Sequence, residues 1–483
     1  MNGWGERLMG KILAIDLGTS YFKVSLFDGA GELRGLVSAA VPVESGVPGR
    51  CELDAARCWQ TVVQAIRRLA EDHDGGLTDV GAITFASQTN SFVLLDGTDR
   101  PLTPLILWPD RRAADGEEAM RSWSSQPGFA AETGIPGASH EFMAAKLLWL
   151  RRQQPDVWRR TRRLCLISDY LTLRVTGHHV TEAGAAGLTG LVDIHHLCFR
   201  DEALQRFQLD ADWLPAVVRA GTDLGPVQPQ VAEELGLPRD CRFVVGCLDQ
   251  YAGAIGAGAC SAEAITETTG TVLATVRCCD RFTPKPFPVF QGPAFAPDLY
   301  YQMVFGEVSA NYLEWYRRQL PERPEFAELT ALAAAVEPGA EGLRLRTEVP
   351  LTTPETVFDR CRSSHTRAHF VRCILEAVAL ALRNQVWCLA GRSAPALIRC
   401  AGGAARSETW LQIKADVLGL PVAAARCPEA ASVGAAVLAE ATLCGKTVAE
   451  VSSQWVQLGR TYTPDPAVHR RYEALFPCGP TDP

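Results

Sequence analysis

The feature that most constrains this 483-residue chain is a strand–turn–strand unit near its start that is echoed near its middle. Ile12-Leu13-Ala14-Ile15 form a continuous apolar run. Asp16-Leu17-Gly18-Thr19-Ser20 carry turn chemistry, and Val24, Leu26 and Phe27 resume a strand. Two apolar runs joined by a short glycine-containing segment read as a β-hairpin. The stretch Ala264–Val276 has the same plan around Thr269-Gly270-Thr271. The echo is too weak to count as a repeat. It still implies two similar α/β domains, residues 1–250 and 251–483, facing one another and joined near 249–262.

Between and after these units, strands alternate with helices. Ala55–Ala70 places Trp59, Val62, Val63, Ile66 and Leu69 at helical spacing. Strands are expected at Val80–Phe85, Phe92–Leu95, Arg242–Gly246 and Leu397–Cys400. Helices are expected at Phe142–Arg152, His365–Ala390, Glu408–Leu418 and Ala431–Leu443. The section from Pro321 to Asp359, rich in Pro, Glu and Thr, should be the least regular. With 47% hydrophobic and 21% charged residues, the chain can bury a large core unaided. A net charge of −8 disfavours nucleic acid, which needs clustered Lys and Arg. No apolar stretch approaches the ~18–20 uncharged residues of a membrane span, and the start does not read as a signal peptide. The expected location is the cytoplasm, away from membranes. Sixteen cysteines are scattered with no C-x-x-C spacing, which reads as reduced, mostly buried thiols.

Four segments carry candidate chemistry. In Asp16-Leu17-Gly18-Thr19-Ser20 a glycine permits a tight turn whose N–H groups and hydroxyls can face an anion. Asp16, ending a buried strand, can hold Mg²⁺ through water. A plain β-turn is the alternative. Thr269-Gly270-Thr271 offers a second such loop, weak alone and stronger beside the first. Ala401-Gly402-Gly403-Ala404-Ala405-Arg406-Ser407 runs from a strand through a glycine pair to a helix start. That suits close approach of a flat ligand or an anion, or simply a tight structural turn; no G-x-x-x-x-G-K-[ST] string is present. Finally, Asp249-Gln250 follows the apolar run Phe243–Leu248. Asp249 reads equally as a general base or as a helix N-cap.

Taken together and in this order, these elements resemble the FGGY family of carbohydrate kinases over roughly residues 10–475. The similarity is strongest in Ala404–Val422 and Glu429–Ala436. The resemblance implies two actin/hexokinase-like (ribonuclease H-like) α/β domains flanking a catalytic cleft, with ATP and Mg²⁺ as cofactors and a small sugar as substrate. It implies Asp249 as catalytic base and Asp16 beside the metal. Gly18, Thr19, Ser20, Thr269, Gly270 and Thr271 would face the phosphates, and Gly402, Gly403, Ala404 and Ser407 the adenosine. Gln88, Thr89, Asn90, Trp108, Asp110, Arg111 and Gln250 would line the sugar. A homodimer is one open assembly. The chain departs from the family pattern at Ala404, where a third glycine is usual, at Cys373, and between Pro338 and Asp359. His365 and His369 share a helix face without a third ligand and read as packing residues. His140 falls in the segment that borders the sugar in this family.

The acceptor is less constrained. Glycerol kinases carry Arg-Glu after the glutamine equivalent to Gln88, and xylulokinases carry Met-His. Here the pair is Thr89-Asn90, while Val93–Asp96 and Pro101–Trp108 read closer to the xylulokinase branch. Trp108 would offer a flat apolar wall, with Asp110 or Arg111 bonding hydroxyls. The expected acceptor is an open-chain ketose or polyol of about five carbons, D-xylulose first; ribulose, glycerol or a hexulose are alternatives. Two other classes stay open on this fold: a catalytically silent sugar-binding regulator, and an actin-like or chaperone-like ATPase.

Overall fold

The computed structural model describes residues 10–44, 46–73, 75–262, 264–286, 288–391 and 395–477. The chain forms two compact units. Of the described residues, the first takes those up to Gly256 together with Cys278–Gln302 and Ala431–Trp455. The second takes Ala257–Arg277, Met303–Ala430 and the chain from Val456 onward.

In the first unit Lys11–Leu17 pairs antiparallel with Tyr21–Phe27, which pairs antiparallel with Leu33–Ala40. On its other side Lys11–Leu17 runs parallel to Val80–Ser87. That strand runs parallel to Arg242–Val244 and Cys247–Leu248, and Asp223–Pro226 closes the sheet antiparallel. Lys11–Leu17 is buried at five of its seven positions, as expected of a central strand covered on both faces. Leu33–Ala40 alternates toward solvent, as expected of an edge. The helix Ala55–Glu71 is capped by Asp54, whose carboxylate accepts from Arg57 N at 2.8 Å. Its stripe of Trp59, Val62, Val63, Ile66 and Leu69 is buried in one cluster with Leu13, Ile15 and Phe85.

The second unit uses the same succession of pairings. Ile265–Thr269 is antiparallel to Leu273–Cys279 and parallel to Ile398–Ala401. Ile398–Ala401 is parallel to Val422–Ala425, and Leu458–Tyr462 closes antiparallel. The faint echo in the sequence is therefore an architectural one.

The compact units do not follow one break in the chain, since the first also takes segments from beyond residues 249–262. Asp249–Gly256 is one helix of the first unit. It touches the helix Ala430–Cys444 so closely that a Cβ added at Gly434 would strike the backbone of Ala252. Small residues on both helices make that approach possible, and it draws Ala431–Trp455 into the first unit. Residues 321–359 hold only short elements, among them Phe326–Leu332 and the paired Arg344–Leu345 and Phe358–Asp359. The long helix begins at Arg367 rather than His365, because Thr366 and His369 form a capping box there. Among the described residues it is the one helix long and apolar enough to cross a membrane. In the fold it packs Val371, Ile374, Val378 and Leu382 into the second unit's core.

Gly246 joins Arg242–Val244 to Cys247–Leu248. A Cβ there would overlap the carbonyl of Phe85 on the neighbouring strand and lie 2.9 Å from its nitrogen. Backbone atoms within a sheet cannot move aside. Gly246→Ala should therefore cost about 3 kcal/mol, the upper part of the usual overpacking range. Urea unfolding measures it, and an unchanged midpoint would contradict this packing.

Candidate active site

Strand register assembles the first unit's candidate residues. Leu17 stands level with Ser87, and Ser87 with Leu248, across three adjacent parallel strands. The next residues, Gly18, Gln88 and Asp249, therefore leave the carboxyl ends of three neighbouring strands together. Open α/β sheets bind ligands at this edge. In the second unit Thr268 stands level with Ala401, so Thr269 and Gly402 leave two neighbouring parallel strands in the same way.

Asp249 is the first residue of its helix, and its Oδ1 accepts from Gln250 N at 2.7 Å. It keeps part of its surface, yet the carboxyl is closely surrounded. Burial, then the negative charge of Asp16, raise its pKa to about 7, and the Gln250 N–H opposes them. A carboxylate so tuned is suited to take a proton near neutral pH. The two acidic side chains supply hard oxygen donors of the kind Mg²⁺ takes, and Asp16 is the one that would hold it.

The turn after Asp16 is braced from two sides. Gln88 Nε2 donates to Gly18 O at 3.1 Å and Leu17 O at 3.4 Å, and Gln88 Oε1 accepts from Ser91 Oγ at 2.8 Å. Trp108 Nε1 donates to Thr19 Oγ1 at 3.0 Å. Glycine is required at position 18 because a Cβ would lie 2.8 Å from Tyr21 O. Among the described residues the N–H groups of Gly18, Thr19 and Ser20 donate to no partner, which fits a loop built for an anion.

The structure gives several expected sugar-lining groups other work. Gln88, just described, spends its amide on the loop. Thr89 Oγ1 donates to Ala185 O at 2.7 Å. Asn90, at φ 59°, donates to Leu188 O at 3.0 Å and accepts from Met143 N at 2.9 Å. Asp110 is fully buried. It accepts from Cys51 N at 2.7 Å and from Arg112 at N, Nε and Nη2 at 3.0, 2.7 and 2.9 Å. Its carboxylate is thus committed to Arg112, a residue the sequence reading passed over. Arg111 is exposed, with its backbone N–H on Gly49 O at 2.7 Å. The Trp108 ring, whose Nε1 is spent on Thr19, and the Gln250 amide, which has no partner among the described residues and follows Asp249 directly, are the remaining candidate acceptor-side groups. Lys146 was not foreseen. It is buried within Met143–Gln153 and donates to Leu107 O, Trp108 O and Glu141 O at 3.2, 2.7 and 2.8 Å. Its position among Ala144, Ala145, Leu147 and Leu148 was the available signal.

In the second unit Thr269 also turns inward. Its hydroxyl donates to Glu267 Oε2 at 2.6 Å and accepts from Lys414 Nζ at 2.9 Å. Lys414 pairs with Glu267 Oε1 at 2.6 Å, both side chains fully buried. Ser407 caps Glu408–Leu418 by accepting from Trp410 N at 3.2 Å, and Ala404 is buried. The open positions are Thr271, which is exposed, and Gly403, where an added Cβ meets nothing within 4 Å. Gly402 has φ +81° and lies against Thr268, with 3.2 Å from its would-be Cβ to Cγ2. A flat ligand can approach this backbone closely, so the residues present fit a nucleotide. His365 and His369 accept from Arg362 N and Thr366 N, each at 3.1 Å, in local capping roles. Among the described residues no group of three or more His, Cys, Asp or Glu side chains is placed to hold a metal ion.

Glycine turns at parallel strand ends, with an ionisable acid beside one of them, equip a phosphoryl-transfer enzyme. Comparison with known proteins makes this specific. Residues 11–256 match the N-terminal domain of the FGGY family of carbohydrate kinases, and residues 262–443 match its C-terminal domain. The chain is similar to xylulose kinase of Escherichia coli, 30% identical over 84% of each chain. It is also similar to xylulose kinase of Lactococcus lactis, 27% identical over 97% of this chain and 95% of that protein. Glycerol kinase of a Janthinobacterium is 26% identical over 96% of each. The solved xylulose kinase of Rhodospirillum rubrum superposes with a TM-score of 0.85 at 26% identity, covering 96% of each chain. The chain belongs to the FGGY family of carbohydrate kinases and is an ATP-dependent sugar phosphotransferase.

Two predictions follow from the charges. Lys414→Met should destabilise by about 3–5 kcal/mol, because Glu267 is left buried without its partner. The double variant with Glu267→Gln should recover part of that loss in thermal unfolding. Asp249 must be ionised to accept a proton. Acceptor kcat/KM should therefore fall as pH drops below the carboxyl's raised pKa, less far where Mg²⁺ at Asp16 offsets the like charge. The sign for stability is opposite. The folded carboxyl keeps its proton where the unfolded one has lost it, so this residue's contribution declines as pH rises from about 4 to 7. A flat pH–rate profile from 5 to 8, together with turnover that survives Asp249→Asn, would exclude this base.

Proposed function

We propose that this kinase phosphorylates a terminal hydroxyl of an open-chain ketose or polyol of about five carbons, with D-xylulose the first candidate. The observation that carries the chemistry is Asp249, an acid with a pKa near neutrality at the carboxyl end of Cys247–Leu248. Its carboxylate takes the acceptor's hydroxyl proton. The acceptor oxygen bonds to the γ-phosphorus, and the bond from that phosphorus to the bridging oxygen of ADP breaks. Trp108 presents an apolar face to the C–H side of the chain, and the Gln250 amide bonds a hydroxyl. The backbone amides of Gly18, Thr19 and Ser20 hold phosphate oxygens, and Gly402-Gly403 admits the adenosine. Mg²⁺ held at Asp16 would neutralise phosphate charge. Relatives named xylulose kinase support a pentulose, and the similar glycerol kinase keeps a smaller triol in view.

A coupled assay with Mg-ATP across pentuloses, hexuloses, pentitols and glycerol tests the acceptor. D-xylulose is expected to give the highest kcat/KM, and a strong preference for glycerol over every pentulose would overturn it. Asp249→Asn should lower kcat by roughly 10²–10⁴ while keeping sugar affinity. Near-parental turnover in the pure variant would remove Asp249 from the mechanism.

A further inference from the structure

We propose that Glu182 is a positioning residue that holds Asp249 and the Gln88–Asn90 segment in one arrangement, an inference that rests on Asp249 as the base. Glu182 ends the short strand Val180–Glu182 and precedes the small helix Ala183–Gly187. It is 2% exposed. Its Oε1 accepts from Gly184 N at 2.6 Å, and its Oε2 accepts from Ala185 N at 2.8 Å and Leu248 N at 3.2 Å. Leu248 is the residue before Asp249. One carboxylate therefore ties the strand that delivers the base to the start of the small helix.

The middle of that helix and the residue that ends it are tied to the acceptor segment. Thr89 Oγ1 donates to Ala185 O at 2.7 Å, and Asn90 Nδ2 donates to Leu188 O at 3.0 Å. Asn90 Oδ1 takes Met143 N at 2.9 Å, which brings in the helix whose Lys146 holds the Trp108 carbonyl. Gly184 leaves room for the Tyr251 ring, 2.9 Å from where its Cβ would stand. Small residues let the Ala183–Gly187 helix sit in this space, and Glu182 is its only acidic anchor at the N-terminal end among the described residues. A catalytic base must stay within hydrogen-bond reach of its hydroxyl, and a displacement of about 1 Å can cost a hundred-fold. Glu182 has no need to touch substrate to govern that distance.

The test compares Glu182→Gln and Glu182→Asp with the parent, using whichever of D-xylulose, D-ribulose and glycerol the parent phosphorylates fastest. Glutamine puts an NH₂ group against either Gly184 N–H or the Ala185 and Leu248 pair. Aspartate, itself a good helix cap, can keep Gly184 and Ala185 but is one methylene short of Leu248. Glu182→Gln should lower kcat by roughly ten- to a hundred-fold and raise the acceptor KM, with the ATP KM unchanged. Glu182→Asp should retain the thermal midpoint yet still lose several-fold in kcat, a split that a purely structural role would not give. Should the Gln variant fail to fold, the Asp variant alone decides. Parental kcat and acceptor KM in the folded variants would overturn the proposal. Asp249→Asn run alongside keeps the two readings apart. If it retains turnover the base assignment fails, and Glu182 is then judged on the acceptor KM alone.

Discussion

The parallel pairing of three strands, level at Leu17, Ser87 and Leu248, is the constraint on which the first unit's chemistry depends. Each strand ends in one candidate segment, and the register brings the three together. Register in a sheet is fixed by which faces are buried, since a one-residue slip exchanges inside for outside. Ile12, Leu13, Ile83, Phe85, Phe243 and Val245 are all buried, so the core holds the register and the register places Gly18, Gln88 and Asp249. Glycine at 246 belongs to the same constraint, because the strand bearing Asp249 comes closer to Phe85 than a side chain allows. Site geometry here is a consequence of packing several residues away.

What could be read from the sequence was what recurs locally. The hairpin at Lys11–Phe27, the Ala55 helix and Glu408–Leu418 all declare themselves by apolar spacing and caps, and the structure has them within a residue or so. The alternation of segments between the two compact units was not legible. Ala431–Trp455 joins the first unit through a backbone contact at Gly434, and nothing in a run of small residues says which partner helix it will meet. The helix start at Arg367 was missed by two residues because His369 acts through its side chain on Thr366.

Hydrogen-bond partners were the harder part. Asp110, Thr269, Ser407 and Asn90 are polar residues in segments associated with ligands, and a sequence reading assigns them to ligands. In the fold each is consumed by a nearby donor or acceptor: Arg112, Lys414 and Glu267, Trp410 N, and Leu188 O with Met143 N. A buried polar group must be satisfied, and the cheapest partner is one the fold already holds in place. Lys146, Lys414, Glu267 and Glu182 are the counterpart. Lys146 is a charge set among apolar neighbours, readable as an anomaly, whereas Glu267 between Thr266 and Thr268 gives no such sign and is buried all the same.

This division of labour bears on how the acceptor is chosen. Thr89 and Asn90 replace pairs that resemblance associates with direct substrate contact, yet here both side chains bond to the Ala183–Leu188 segment. Their identity therefore acts on the acceptor through where that segment and Met143 stand, more than through a hydroxyl bonded to either of them. Two chains with the same pair could then differ in acceptor, and two with different pairs could agree, depending on the small residues beneath. With such indirect control, the dipeptide after Gln88 would not by itself fix the sugar. On the reading proposed above, one connected set of hydrogen bonds from Asn90 through the small helix and Glu182 to Leu248 would carry a change at the acceptor segment to Asp249.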